Sequence, residues 1–281
     1  MKKLTAIICL ALCALLCLSG IVAAESATPN VDAIKAAGKI VMLTNAAFPP
    51  FEYLGDELNA DGTAKVVGVD TDIAAEIAKD LGVELEIVDM DFDGLISAVD
   101  GGKGDFAAAG MTVTAEREEQ VSFTIKYVKS AQYIILKADN ETIKTAADLE
   151  GKVIGVQEGT TGDFYATDLE ATGATVMRYP DAVTASLDLA NGRIDAVITD
   201  ELPAKAIAAS NEALTLIEEV LTEEEYAIAV AKEKTDLLEA INKTLTRLQE
   251  EGKIEVFINT HMGLEVPEES AAPEATAEPA K

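Results

Sequence analysis

Short apolar runs alternate with amphipathic stretches along most of this chain, a pattern that predicts an α/β fold. Apolar runs such as KIVMLT predict strands at 39–44, 66–69, 83–88, 105–109, 132–137, 153–157, 175–178, 194–199 and 226–231. Helical spacing predicts helices at 71–81, 93–100, 115–120, 145–149, 162–172, 181–191, 201–210, 234–251 and 253–260. Gly82, Gly173, Gly192 and Gly252 follow helical runs, where a residue of positive φ commonly ends a helix.

The pattern also repeats. Gly38-Lys39-Ile40-Val41-Met42-Leu43 is echoed by Gly151-Lys152-Val153-Ile154-Gly155-Val156. Asp93 and Asp181 each open a helix, and those helices run into Gly104-Asp105-Phe106 and Gly192-Arg193-Ile194-Asp195-Ala196. Cap, helix, glycine, Asp and strand recur in the same order, which two similar α/β lobes would produce.

The first 24 residues break the alternation. Lys2 and Lys3 precede a long apolar stretch, and Val22-Ala23-Ala24 ends it with small residues. This predicts a secretory signal peptide cut after Ala24. Cys9, Cys13 and Cys17 all fall inside it, so the exported chain needs neither a disulfide nor a thiol. Leu12 and Leu16 precede Cys13 and Cys17, where a lipidated cysteine wants a small neighbour. At the other end, residues 266–281 are rich in Pro, Ala and Glu without apolar periodicity and are expected to be a disordered acidic tail.

Fifty acidic residues against 22 basic ones give a net charge of −28, and the loss of a segment with two lysines and no acid makes it −30. That argues against nucleic acid and anionic membrane surfaces as partners. His261 is the only histidine, so a His-based catalytic triad or a multi-His metal site is nearly excluded.

Four places carry candidate chemistry. Thr114 is a good N-cap, yet the third residue after it is Arg117 where a capping box has Glu or Gln. A cation in a first turn opposes the helix dipole. Arg117 is read either as a surface partner of Glu116, Glu118 or Glu119, or as a group held at a strand-to-helix corner for an anion. The loop Thr44–Tyr53 follows the first strand and places Phe48, Phe51 and Tyr53 beside two prolines. Ligands of open α/β sheets gather at such strand ends, although loop aromatics also serve as core. Gln157-Glu158-Gly159-Thr160-Thr161-Gly162-Asp163 opens a helix with two hydroxyls and two glycines, which suits an anion or a plain capped turn. Asp200 ends the strand IDAVIT and either caps the next helix or offers a carboxylate to an ammonium.

The run Gly68-Val69-Asp70-Thr71-Asp72-Ile73-Ala74-Ala75-Glu76-Ile77 resembles the signature of the extracellular solute-binding proteins for polar amino acids, family 3. So do Ala109-Gly110-Met111-Thr112-Val113-Thr114 through Arg117 to Phe123, and the segment from Tyr226 to Gly263. The resemblance spans about residues 31–265. It implies a type II periplasmic-binding-protein fold, with lobe 1 at 31–127 plus 229–265 and lobe 2 at 132–224. Hinge crossings are expected near Tyr127–Ala131 and Glu225–Ile228. It further implies a monomer without metal or cofactor, periplasmic or extracellular and possibly membrane-associated. That monomer would capture a free amino acid and deliver it to the permease of an ABC importer.

By the same resemblance Arg117 forks onto the ligand α-carboxylate, with Thr112 beside it and Thr160 and Thr161 contributing from lobe 2. Gly110, next to Met111, turns a carbonyl to the α-ammonium, and Asp200 holds that ammonium. Phe48 and Phe92 sandwich the side chain. Asn45 stands where some relatives have an acid, and Gln157 where others vary. Glu52, Asp91 or Glu158 could supply an acid instead, so a neutral or a basic polar amino acid is expected. Two other readings remain: an enzyme on the same scaffold, similar to cyclohexadienyl dehydratases, with Glu158 or Asp163 as general acid, and an extracellular sensor module.

Overall fold

The computed structural model describes residues 28–264. The expected signal peptide at 1–24 and the acidic tail at 266–281 lie outside the described residues. The elements run α1 (Pro29–Ala37), β1 (Lys39–Thr44), β2 (Ala47–Phe48), β3 (Glu52–Leu58), β4 (Ala64–Val67), α2 (Val69–Leu81), β5 (Glu84–Asp89), a 3-10 turn (Phe92–Gly94), α3 (Leu95–Asp100), β6 (Phe106–Ala107), α4 (Ala115–Glu118) and β7 (Val121–Phe123). They continue with β8 (Val128–Lys137), a 3-10 turn (Ala146–Leu149), β9 (Val153–Gln157), α5 (Thr161–Leu169), a 3-10 turn (Glu170–Thr172), β10 (Thr175–Tyr179), α6 (Ala182–Ala190), β11 (Ala196–Asp200) and α7 (Glu201–Ser210). β12 (Leu214–Ile217), β13 (Glu223–Tyr226), β14 (Ala229–Ala231), α8 (Thr235–Glu250) and α9 (Lys253–His261) complete the order.

Two sheets, each covered by helices, make two α/β lobes. The first has strand order β5-β1-β6-β14-β7 and the second β10-β9-β11-β8-β12, with β13 also paired to β8. In each, one strand lies parallel to both its neighbours: β1 pairs in parallel with β5 and β6, and β9 with β10 and β11. Strands covered on both faces must be apolar on both faces. Ile40 and Met42 of β1 join the core formed with Ile73 and Ile77 of α2, whereas Leu43 packs with Leu95 and Val99 of α3 on the opposite face. The second lobe repeats this: Ile135 and Val197 meet Ala185 and Leu189 of α6, and Ile154, Val156 and Ile198 meet Ala166 of α5. α8 closes the first lobe by burying Leu237, Ile241, Leu245 and Leu248 along one stripe. Each such side chain contributes about 1.5–3 kcal/mol of apolar burial.

Two segments join the lobes. Val128 of β8 belongs to the first-lobe core, and Ala131 to the second. β13 returns antiparallel beside it, with Tyr226 opposite Val128 and Glu223 opposite Ala131. Tyr226, wholly buried, packs edge-on against Phe51 at 5.1 Å.

Several predicted boundaries move for local reasons. The strand expected at 105–109 shrinks to Phe106–Ala107, because the chain leaves the sheet at Ala108 to wall the cleft. The helix expected at 115–120 is the single turn α4, and the expected strand 226–231 divides into β13 and β14 at the crossing. The strand expected at 66–69 ends at Val67, since Gly68 takes φ 138° and α2 starts at Val69. The stretches at 145–149 and 92–94 are 3-10 turns. α1, β2, β3, β7 and β12 are not among the predicted elements. α1 buries only Val31 and Ile34, and β3 is mostly exposed, so neither carries a strong period.

Candidate functional site

The carboxyl ends of β1, β6, β9 and β11 converge on one cavity between the lobes. Asn45, Phe48, Glu52, Phe92, Gly110, Thr112 and Arg117 line it from the first lobe, and Gln157, Thr160, Thr161 and Asp200 from the second.

Arg117 is only 7% exposed, which rules out a surface pair. Thr114 caps α4 by accepting the Arg117 N–H, leaving the side chain free to point inward. Its Nη1 donates to the Thr112 carbonyl at 2.6 Å and its Nη2 crosses the cleft to the Gly159 carbonyl at 3.0 Å. The guanidinium lies 5.3 Å from the centre of the Phe92 ring. Among the described residues no carboxylate makes an ion pair with it. Burial pulls its pKa below the usual value, while Glu224, Asp200 and Glu116 act to raise it. A buried cation held only by carbonyl dipoles is costly, and a ligand anion would offset that cost.

Asp200 faces it from the other lobe. It occupies the N-cap position of α7 without making a side-chain cap bond. Instead its Oδ1 accepts the Tyr226 hydroxyl at 2.5 Å. Burial pushes its carboxyl up to about 7, against the Tyr226 and Gln132 hydrogen bonds and the Arg117 charge, which lower it. Gly110 has φ +51°, and a Cβ there would stand 2.5 Å from the Phe48 ring. Its N–H donates to Asp70 at 2.8 Å.

At the far end Asn45 and Gln157 form an amide clasp across the cleft. Gln157 Nε2 donates to Asn45 Oδ1 at 2.8 Å and to the Pro180 carbonyl at 3.0 Å, while Asn45 Nδ2 donates to the Met90 carbonyl. Gln157 Oε1 is thereby left as an acceptor. Phe48 and Phe92 supply the apolar surfaces between this clasp and the charged end.

Three residues depart from their expected parts. Met111 does not reach the cavity: its side chain is buried with Leu43 and Leu95 in the core, and its carbonyl accepts the Ala227 N–H. Thr160 spends its hydroxyl on capping α5, accepting from the Asp163 N–H and donating to the Gln157 carbonyl. The Thr161 hydroxyl donates to Glu224 and accepts from Gln132. What α5 leaves for an anion are the N–H groups of its first turn, Thr161 and Gly162.

Of the acids offered as alternatives, Asp91 and Glu158 are exposed and do not line the cavity. Asp163 is tied to Arg178 and to the Gly159 N–H. Glu52 alone lines the cavity; it is wholly buried and neither carboxyl oxygen meets a conventional donor. An acid between two aromatics, Phe51 and Tyr53, was the signal that could have singled it out.

The model of the bacterial extracellular solute-binding proteins, family 3, matches residues 40–263. The L-cystine-binding protein TcyJ of Escherichia coli (strain K12) is 30% identical over 238 residues, 84% of this chain and 87% of that protein. The ABC transporter arginine-binding protein 1 of the same strain is 36% identical over 222 residues, 77% of this chain and 88% of that protein. Among solved structures, the arginine-bound form of truncated ArgBP from T. maritima superposes with a TM-score of 0.71 at 43% identity, covering 77% of this chain and 99% of that one.

Proposed function

The chain belongs to the bacterial extracellular solute-binding proteins of family 3, and on that premise we propose that it captures a free polar L-amino acid between its lobes outside the cytoplasmic membrane. The bound form is handed to the permease of an ABC importer. The type II fold supplies two lobes, taken here as 31–127 with 229–265 and 132–224, preceded by a cleaved export signal. The protein works as a monomer and carries out no catalysis.

The observation that carries this reading is Arg117, buried without an ion-paired acid among the described residues and lining the cleft opposite Asp200. A zwitterion needs both ends satisfied before water is excluded. The Arg117 fork takes the α-carboxylate in two charge-assisted bonds, assisted by Thr112 and by the first turn of α5. Asp200 and the Gly110 carbonyl take the α-ammonium. Because those partners sit on different lobes, the ligand binds the closed state better and shifts the equilibrium toward it. Micromolar affinity needs about 8 kcal/mol.

The side chain lies between Phe48 and Phe92 and ends at the Asn45–Gln157 clasp. Gln157 Oε1 suits a donor such as an amide or guanidinium. Relatives named for arginine and for cystine fit a polar side chain of that length.

A thermal-shift screen of the purified protein against the twenty amino acids and cystine tests this. One or a few polar amino acids are expected to raise the melting temperature. A shift with prephenate or arogenate and none with amino acids would move the reading to an enzyme, and product formation would settle it.

A further inference from the structure

The cavity wall contains a buried acid that the ligand-binding scheme does not use. The segment Pro50–Glu52 and the start of α2 run side by side: Val69 N–H donates to the Pro50 carbonyl at 3.0 Å and Asp70 N–H to the Phe51 carbonyl at 2.9 Å. Gly68 makes this approach possible, since a Cβ there would lie 2.1 Å from the Phe51 carbonyl oxygen. The backbone thus brings Glu52 and Asp70 to neighbouring positions in the buried wall. Both residues have no exposed surface.

The two carboxyls differ in their surroundings. Asp70 accepts from the Tyr127 hydroxyl at 2.7 and 2.9 Å and from the Gly110 N–H at 2.8 Å. Among the described residues Glu52 meets no N–H or hydroxyl donor, and the neighbouring Asp70 carboxyl acts on it more strongly than any other ionisable group. Two ionised carboxylates in contact away from water repel, whereas one proton between them makes a short strong bond. Asp70 already holds the donors that stabilise an anion, so the proton belongs on Glu52.

We infer that Glu52 and Asp70 hold one proton between them, carried by Glu52, and that this pair is a positioning element that braces the Gly110 backbone in the ligand cavity. The surrounding charges agree. Desolvation, then Asp70, Asp200 and Asp89, push the Glu52 carboxyl well above the usual carboxylate range. Burial raises Asp70 only to about 6, because Gly110, Tyr127 and Glu52 all donate to it. Tyr127 is itself pushed up by burial, so it stays a donor. Arg117 is the cation on the cavity wall, and the hydrogen bonds it makes within the protein go to the Thr112 and Gly159 carbonyls and not to Glu52. A permanently neutral Glu52 leaves Asp200 as the anion for the ligand's ammonium and keeps Gly110 aimed at it.

The protonation state can be read without any ligand. Carboxyl infrared or carbon-13 NMR titration of the purified protein is expected to show a buried carboxyl that stays protonated above the pH at which Asp200 ionises, and that signal should vanish in Glu52→Gln while the Asp200 signal remains. If both groups titrate as ordinary carboxylates, below about pH 5, the inference is wrong. The brace rests on the reading of Gly110 as an ammonium contact and is tested with L-arginine by calorimetry. Glu52→Ala is expected to weaken binding about tenfold or more. Glu52→Gln, which keeps a donor to Asp70, should restore it to within about threefold and flatten the loss of affinity that wild type shows as pH rises past the pair's titration. Equal weakening in Ala and Gln, or wild-type profiles in both, would overturn the brace. Should wild type bind no L-arginine, that ligand assignment fails, while the titration still decides where the proton sits.

Discussion

Corresponding strands of the two lobes end in opposite charges. β1 and β9 begin with echoing sequences, and β6 and β11 follow equivalent helices to the middle of each sheet. Yet after β6 the chain delivers Arg117, and at the tip of β11 it places Asp200. The loops after β1 and β9 diverge as well: one presents Phe48 and the buried acid Glu52, the other a hydroxyl-capped helix start. On the proposed reading, two scaffolds of the same design serve as the two halves of a zwitterion receptor, and the difference lies in what each strand end carries. On that reading closure is coupled to binding, since neither half can satisfy the ligand alone.

Removing the charge from the first half should have the largest effect. Arg117→Ala is expected to cost about 2–5 kcal/mol of amino-acid affinity, the range for truncating one partner of a buried charged contact. Calorimetry reads the loss, and an unchanged melting temperature shows that the lobe survives. Retained affinity would remove Arg117 from the carboxylate subsite.

The second half should respond less and with a proton signature. Asp200 rests near 7 through burial, so it is partly protonated at neutral pH before binding. A ligand ammonium favours its ionised form and lowers that value, so binding near neutral pH releases protons. Calorimetry in two buffers of different ionisation enthalpy should therefore give different apparent enthalpies. Asp200→Asn is expected to cost about 2–3 kcal/mol and to abolish most of that buffer dependence. Proton uptake instead of release would contradict the assigned polarity.

The smallest effect should fall on the helix start of the second lobe. Thr160→Ala removes the cap of α5 and should lower stability by about 1 kcal/mol. Chemical denaturation measures it. A loss of affinity far exceeding the loss of stability would mean that Thr160 also touches the ligand.

Much of this arrangement is legible in the chain itself. The glycines after α2 and α6, the caps at Thr114 and Asp181, and the repeated order of helix, glycine and strand are local features, and they mark two α/β lobes. Of the expected cleft residues, Met111 alone is carried away from the cavity, because alternate residues of a short buried run face opposite sides and its side chain turns into the core. The weakly periodic α1 and β3 escaped notice because each shows the core little of its surface.

By itself the sequence determined the α/β alternation of the longer elements, the caps, the duplication and the family, since all of these are written in short stretches of the chain. Only the tertiary structure decided which polar groups find partners. Whether Arg117 meets an acid, whether Asp200 caps its helix, and where Glu52 can place its proton depend on Gly159, Tyr226 and Asp70, which arrive from distant segments. Desolvation acts on the final neighbourhood of a group, and no local pattern encodes that neighbourhood.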